Sequence, residues 1–184
     1  MRVTGGTLRG RHLTPIRGLH IRPSADRVKE AIFSLIGQDL TNARALDLFA
    51  GTGGLGIEAL SRGASSVLFV DKAEQALRAI KRNLKQLGYE AAGAVLRRDL
   101  RKELPWKHPF IRGGVDVTFL DPPYGSGLIP GVLRELCQRR LLRPSSVVVA
   151  ESARDETVPE QVEELTAAKT RLYGETKVTI YSTA

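Results

Sequence analysis

Apolar positions recur along this chain in two rhythms, and the switch between them predicts the fold. The first 22 residues mix Gly, Arg and short apolar stretches, which suits a small hairpin or extended arm better than a helix. Val28, Ala31, Ile32, Leu35 and Ile36 then recur at i, i+3, i+4, i+7 and i+8. That stripe predicts an amphipathic helix with Ser24 as its N-cap, Gly37 at its end, and Arg27, Lys29 and Glu30 on its outer face. From Arg44 the rhythm changes. Continuously apolar runs at 45–49, 67–70, 94–96, 115–120 and 147–150 predict strands, and helical stripes are expected over 55–62, 73–87 and 130–142, two of them closed by Gly63 and Gly88 and the last opened by Pro130. Short strands apolar on both sides, alternating with helices, imply a mostly parallel sheet covered on both faces. The tail differs: 169–173 and 177–181 flank Gly174-Glu175, the signal of an antiparallel hairpin closing the sheet. The expectation is an α/β fold of seven strands, with an arm over residues 1–22 and one domain over 23–184.

Length and charge refine this picture. A chain of 184 residues with 42% hydrophobic content can bury one sizeable core. Its formal charge is +8, and Arg2, Arg9, Arg11, Arg17 and Arg22 all precede the first acidic residue, Asp26. Five arginines without a counter-charge point to a polyanion, nucleic acid above all, with Arg9 and Arg11 as its contacts. Glycines and Pro15 interleave them, so they lie on no amphipathic helix and do not suit a membrane surface. The single Cys137 allows no internal disulfide and falls on a helical apolar stripe, which marks it as core. His12, His20 and His108 show no metal-ligand spacing with it, so no metal is expected. No apolar run reaches the ~18 residues of a membrane span, and the basic start lacks a secretory h-region. A cytoplasmic monomer is the expectation.

Two motifs carry chemistry. Gly51-Thr52-Gly53-Gly54-Leu55-Gly56 follows a strand and opens a helix, and Asp71 ends the next strand, the pattern of an adenosine-cofactor site in which the acid accepts ribose hydroxyls. A nicotinamide dinucleotide and S-adenosylmethionine would both fit so far. Asp47, four positions before Gly51, separates them: a carboxylate there repels a pyrophosphate and suits the ammonium of a methionine moiety. Asp99, after the third strand, is placed for an adenine amino group. The second motif is Asp121-Pro122-Pro123-Tyr124 at the end of the fourth strand. The prolines fix φ and remove N–H donors, so the carbonyl between them and the Asp121 carboxylate can both accept from one NH2 group. Two acceptors of that kind draw the nitrogen lone pair out of a base's ring system and towards a sulfonium methyl, while Tyr124 stacks on the base. The signal is one of exocyclic-amine methylation. A base held in a helix must first be turned out to reach it.

These residues resemble the class I S-adenosylmethionine-dependent methyltransferases, with their Rossmann-like fold, and more narrowly the RsmD family, which methylates N2 of a guanine in bacterial 16S ribosomal RNA. The resemblance covers nearly the whole chain. It rests on Arg2-Val3-Thr4-Gly5-Gly6 with Gly10-Arg11, on the stretch from Arg22-Pro23-Ser24-Ala25-Asp26-Arg27 to Phe33, on 47–64, and on the Asp121 loop. It implies that Asp47, Gly51 and Gly53 line the methionine end of S-adenosyl-L-methionine, which leaves as S-adenosyl-L-homocysteine, that Asp71 takes the ribose and Asp99 the adenine, and that Asp121, Pro122 and Tyr124 hold the guanine. Arg22 and Arg27 would help close over cofactor and RNA, and the partner would be 16S rRNA or the small ribosomal subunit. The pattern departs at Ser24, where Thr is commoner, and after Glu151, where the acidic stretch to Glu164 is expected to stay clear of RNA. Four rivals stand beside this reading. A DNA adenine-N6 methyltransferase would use the same loop, but the short connection between the fourth and fifth strands leaves no room for a target-recognition domain. A glutamine methyltransferase would carry Asn at position 121, a nicotinamide-dependent oxidoreductase would share only the span from Gly51 to Asp71, and a non-catalytic RNA-binding module would have no use for Asp121.

Overall fold

Side chains alternate across the central strands of the sheet, and both alternating sets are largely apolar, so the middle of the sheet is buried on two sides. The computed structural model describes residues 1–16 and 25–183. Five strands, β1 (Arg44–Leu48), β2 (Ser66–Asp71), β3 (Gly93–Arg97), β4 (Val115–Leu120) and β5 (Leu142–Ala153), run parallel in the spatial order β3-β2-β1-β4-β5. The sheet continues through β8 (Thr176–Thr183), β7 (Leu165–Tyr173) and β6 (Gln161–Val162), all antiparallel to their neighbours. Ala45, Val67, Phe69, Val117, Phe119 and Val149 face a first core with α1 (Ala25–Ile36), α2 (Gly54–Ser61) and α3 (Glu74–Leu87). Leu46, Leu48, Leu68, Val70, Leu120 and Val148 face a second core with α4 (Ile129–Gln138). Strand order reverses between β1 and β4, and connections on the two sides of such a point diverge, leaving a crevice at the carboxyl ends of the strands.

The expected parallel sheet, covered faces and closing hairpin are all present, with eight strands in the sheet among the described residues rather than seven because the two-residue β6 pairs with β7. The helix expected to reach 142 stops at Gln138. Arg140 takes φ +53° and the Leu141 N–H closes onto the Leu136 carbonyl at 3.0 Å, so Leu142 is released to pair with Val115 at the start of β5. The same strand overruns its expected end because Glu151, Ser152 and Ala153 pair with Val178, Lys177 and Thr176 of β8. Ser24, Arg22 and the boundary at 22/23 lie outside the described residues. Among those described, no helix is long and apolar enough to cross a membrane.

The arm is a hairpin laid across α2. The Val3 N–H donates to Arg11 (2.9 Å) and the Gly10 N–H to Val3 (2.8 Å), and Val3 and Leu13 join the first core. What fixes it there is Glu58, fully buried on α2. The Glu58 carboxylate accepts from the Thr4 N–H and hydroxyl (both 2.8 Å), pairs with Arg62 at 2.9 Å, and meets Lys29 of α1 at 3.2 Å. Lys29 in turn donates to the Arg2 carbonyl at 2.5 Å, and Arg62 lies over the Phe33 ring at 4.7 Å. Burial lowers the Lys29 pKa, and the charge of Glu58 opposes that shift. One carboxylate thus ties arm, α1 and α2 together, and removing it strands two buried cations. Glu58→Gln should cost about 3–5 kcal/mol in urea unfolding; a loss under ~1 kcal/mol would show that the network is dispensable.

Candidate active site

The crevice at the β1/β4 reversal is a cleft of about 480 Å³, and both sequence motifs open into it. Phe49, Gly51, Asp71 and Asp99 line one side, and Asp121, Pro122, Pro123 and Tyr124 the other. The turn after β1 starts in strain: Phe49 has φ +60°, rare for a bulky residue outside functional sites. Gly51 follows at φ +54°, and a Cβ placed on it would meet nothing within 4 Å, so its backbone offers a bare surface on which a ligand can lie. Gly56 is required for the opposite reason. Its Cβ would stand 2.3 Å from the Phe69 ring and 2.9 Å from Asp47, so only glycine lets α2 settle onto the strands.

The carboxylates are held by different partners. Asp71 accepts from the Gly51 N–H (3.0 Å) and the Ala73 N–H (2.8 Å), which aims its oxygens across the mouth of the glycine turn. Asp47 is buried beneath that turn, accepts from the Gly56 N–H at 2.9 Å, and does not line the cleft. Burial, aided by the charges of Asp121 and Asp71, pushes its carboxyl well above the usual range against the pull of the Gly56 N–H. Gly53 likewise turns inward, packed near Ile80, Ile57 and Phe69. Asp99 does reach the cleft, but Arg101 clasps it at 2.9 and 2.5 Å and holds its carboxyl below the usual range.

The Asp121 loop is braced by the carboxyl-terminal segment. The Tyr124 hydroxyl sits 2.8 Å from the hydroxyl of Thr176, a buried residue at the start of β8. Glu156 accepts from the Gly125 N–H (3.1 Å) and the Ala153 N–H (3.3 Å), so the acidic stretch supports the loop from behind. The Ser126 N–H donates to the Pro123 carbonyl at 3.2 Å and turns the loop back. Pro122 is buried while Asp121 and Tyr124 are half-buried. The sequence reading overlooked Phe49, Lys72 and Arg101 in the cleft lining and Thr176 and Glu156 behind it. Thr176 and Glu156 lie 52 and 31 positions from their partners, and no local pattern carries such a pairing.

Of the candidate nucleic-acid arginines, Arg9, Arg11 and Arg27 do not line this cleft. Arg27 is exposed on α1, and Arg9 and Arg11 are exposed in the arm. The hairpin turn lies at the far end of α2, where the Leu8 N–H meets the Ser61 hydroxyl at 2.9 Å, roughly 12 Å of helix from the glycine turn. Arg22 lies outside the described residues. Cys137 is buried on α4, its thiol pushed up to about 12, and takes no part.

Comparison with known proteins places this geometry. Residues 1–182 match the family described as conserved hypothetical protein 95. The Bacillus subtilis (strain 168) protein named "Putative rRNA methyltransferase YlbH" is 40% identical over 183 residues, 98% of each chain. The Haemophilus influenzae protein named ribosomal RNA small subunit methyltransferase D is 33% identical over 155 residues, 84% of this chain and 80% of that one. A solved Escherichia coli structure superposes with a TM-score of 0.85 at 26% identity, over 100% of this chain and 97% of its own. The fold alone is shared with a Salinibacter ruber RNA methyltransferase solved with S-adenosyl-L-homocysteine, at 16% identity, a TM-score of 0.61, and coverage of 88% and 93%.

The Asp47 carboxyl makes one consequence measurable. Its folded pKa lies above its usual 3.8, so the folded state binds more protons than the unfolded chain between those values and loses stability as pH rises through that window. Asp47→Asn keeps an acceptor for Gly56 and carries no charge. In the ligand-free protein its urea midpoint should exceed wild type at pH 7, the gap closing towards pH 4; a gap independent of pH would deny the buried charge.

Proposed function

The chain belongs to the family described as conserved hypothetical protein 95, the RsmD methyltransferases, and from that premise we propose that it methylates the N2 amine of a guanine in 16S ribosomal RNA of the small subunit. The observation that carries this reading is the convergence of Asp71 and the bare Gly51 backbone with Asp121, Pro122 and Tyr124 on one cleft. The residues present suit an adenosine cofactor with a cationic tail: Asp71 for the ribose hydroxyls, the bare glycine for close approach, and Asp47 beneath the turn, whose charged form a nearby cation would favour. The methyl donor is S-adenosyl-L-methionine, which supplies an electrophilic methyl on a sulfonium and leaves as S-adenosyl-L-homocysteine. The same negative carboxylates disfavour a pyrophosphate and with it the nicotinamide alternative.

The chain's own part is alignment and charge. Tyr124, braced by Thr176, stacks on a base turned into the cleft. The Asp121 carboxylate and the Pro122 carbonyl accept the two N2 hydrogens, rotate the lone pair out of conjugation, and stabilise the positive charge that grows on nitrogen. As the nitrogen–carbon bond forms the carbon–sulfur bond breaks, and the surplus N2 proton passes to Asp121 directly or through water. Arg27, Arg9 and Arg11 meet RNA away from the reacting atoms, Arg22 contributes a further RNA contact, and the adenine amino group competes with Arg101 for Asp99.

Two measurements bear on this. Tritiated methyl should pass into small subunits from cells lacking the endogenous enzyme, with nucleoside mapping giving N2-methylguanine. Asp121→Ala should cut transfer by about 10²–10³-fold or more while leaving S-adenosylhomocysteine affinity unchanged; label on adenine N6 would move the enzyme to the rival amine, and loss of ligand binding with residual turnover would contradict the role of Asp121. For the loop brace, Thr176→Val should lower kcat by roughly 2–10-fold with little change in the cofactor KM, and Thr176→Ser should restore it; equal rates for both variants would detach the hydroxyl pair from the chemistry.

A further inference from the structure

Between β3 and β4 the chain leaves the carboxyl edge at Arg98 and returns at Val115, crossing the second face of the sheet beside α4. Within that crossing and the last residue of β3, Arg97, Arg98, Arg101, Lys102, Lys107 and Arg112 stand against only Asp99 and Glu103. Arg98 lines the active-site cleft and also a second hollow of about 130 Å³ formed with Glu103, Leu104, Pro105, Trp106 and Lys107, so the two concavities adjoin. Trp106, the single tryptophan of the chain, is the middle of this surface. Its half-buried ring packs on the second core, with Lys107 Nζ 4.5 Å and Arg139 Cζ 4.7 Å from its centroid.

Two cations converging on one ring repel each other, and at an exposed site the ring's quadrupole offsets only part of that repulsion. Among the described residues Lys102 and Lys107 have no carboxylate partner, and Arg139 has only Glu135 at 3.8 Å with its own side chain 44% exposed. The geometry is also rigid. Leu104 is fully buried and its N–H donates to Glu135 at 3.1 Å, so the cations stand on an anchored loop. Arg98 pairs with Glu103, Arg101 with Asp99 and Arg97 with Glu74, so the cations this surface leaves for an outside anion include Lys102, Lys107 and the loosely held Arg139, and cations set along a loop from the cleft match phosphates repeating along a strand.

Resting on the RNA reading above, we infer that the 98–112 loop with Arg139 is a backbone-contact surface for the substrate RNA, leading from the cleft across the face opposite the arm. Phosphates seat between Lys107 and Arg139 and at Lys102, beside the Arg98–Glu103 pair at the cleft's edge, and they fix the strand's path without reading its sequence. Trp106 is the internal reporter.

The test uses the full chain with a naked 16S rRNA transcript and, in parallel, isolated small subunits. With the transcript, wild-type Trp106 emission should change in intensity or wavelength on binding. In the Lys102→Ala, Lys107→Ala double variant the slope of log K against log salt should be shallower by about 1.4, at ~0.7 per lost single-strand contact, with S-adenosylhomocysteine affinity and urea midpoint unchanged. Unaltered emission together with an unaltered slope, in a protein that still methylates subunits, overturns the surface and leaves the function standing. A variant that binds RNA normally but subunits weakly assigns the patch to a ribosomal protein and overturns it equally. Failure of wild type to bind either transcript or subunits defeats the RNA reading and the surface with it.

Discussion

Burial of the Asp47 carboxylate beside those of Asp71 and Asp121, which end or nearly end three neighbouring strands, is the constraint from which the site follows. Asp47 is deprived of water and, to a lesser degree, feels the other two charges, so its carboxyl is pushed well above the usual range. Asp71 is held by two backbone N–H groups of the turns beside it. A rim built in this way stores electrostatic cost that a cation relieves and a second anion worsens. Its preference for a sulfonium and an ammonium over a pyrophosphate is therefore set by the strand ends themselves, before any specific contact with a cofactor is considered.

The two faces of the sheet serve the cleft differently. On the first, Glu58 gathers Thr4, Lys29 and Arg62 and so locks the arm and α1 to α2. The buried charges are costly, yet the arrangement is directional in a way an apolar patch is not: a hairpin slipped by one residue would lose the Thr4 contacts and leave Glu58 short of two of its donors. The arginines at the hairpin's turn consequently stand at the far end of α2, remote from the reacting atoms. On the second face the cations of the 98–112 loop begin at the cleft itself, because Arg98 belongs to its lining.

Much of this was legible because apolar periodicity is local. The runs at 45–49, 67–70 and 115–120 each mapped to a strand within one or two residues, and the chemistry at their ends was placed on one rim by the parallel topology they imply. Asp47 shows where local reasoning stops. A carboxylate at a strand end reads as a cleft residue, but the lack of a Cβ on Gly56 lets α2 close down over it and turn it into a buried acceptor. The helix expected to run to 142 failed for a similar reason. Leu141 and Leu142 continue the apolar pattern, and only the left-handed turn at Arg140 and the pairing of Leu142 with Val115 reassign them.

The carboxyl-terminal hairpin closes the sheet, but closure does not require the positions its residues take. Thr176 at the start of β8 reaches Tyr124, and Glu156 between β5 and β6 reaches the next residue of the same loop. Pro122 and Pro123 have already removed two backbone donors from that loop, so it can brace itself less well than an ordinary turn. The rigidity that the prolines give to φ must be matched by anchors from outside, and the antiparallel strands supply them from the side opposite the cofactor rim. An aromatic ring that is to hold a turned-out base, and lose little entropy in doing so, needs that support. The acidic stretch thus works by what it holds in place, Glu156 accepting from the N–H groups of Gly125 and Ala153.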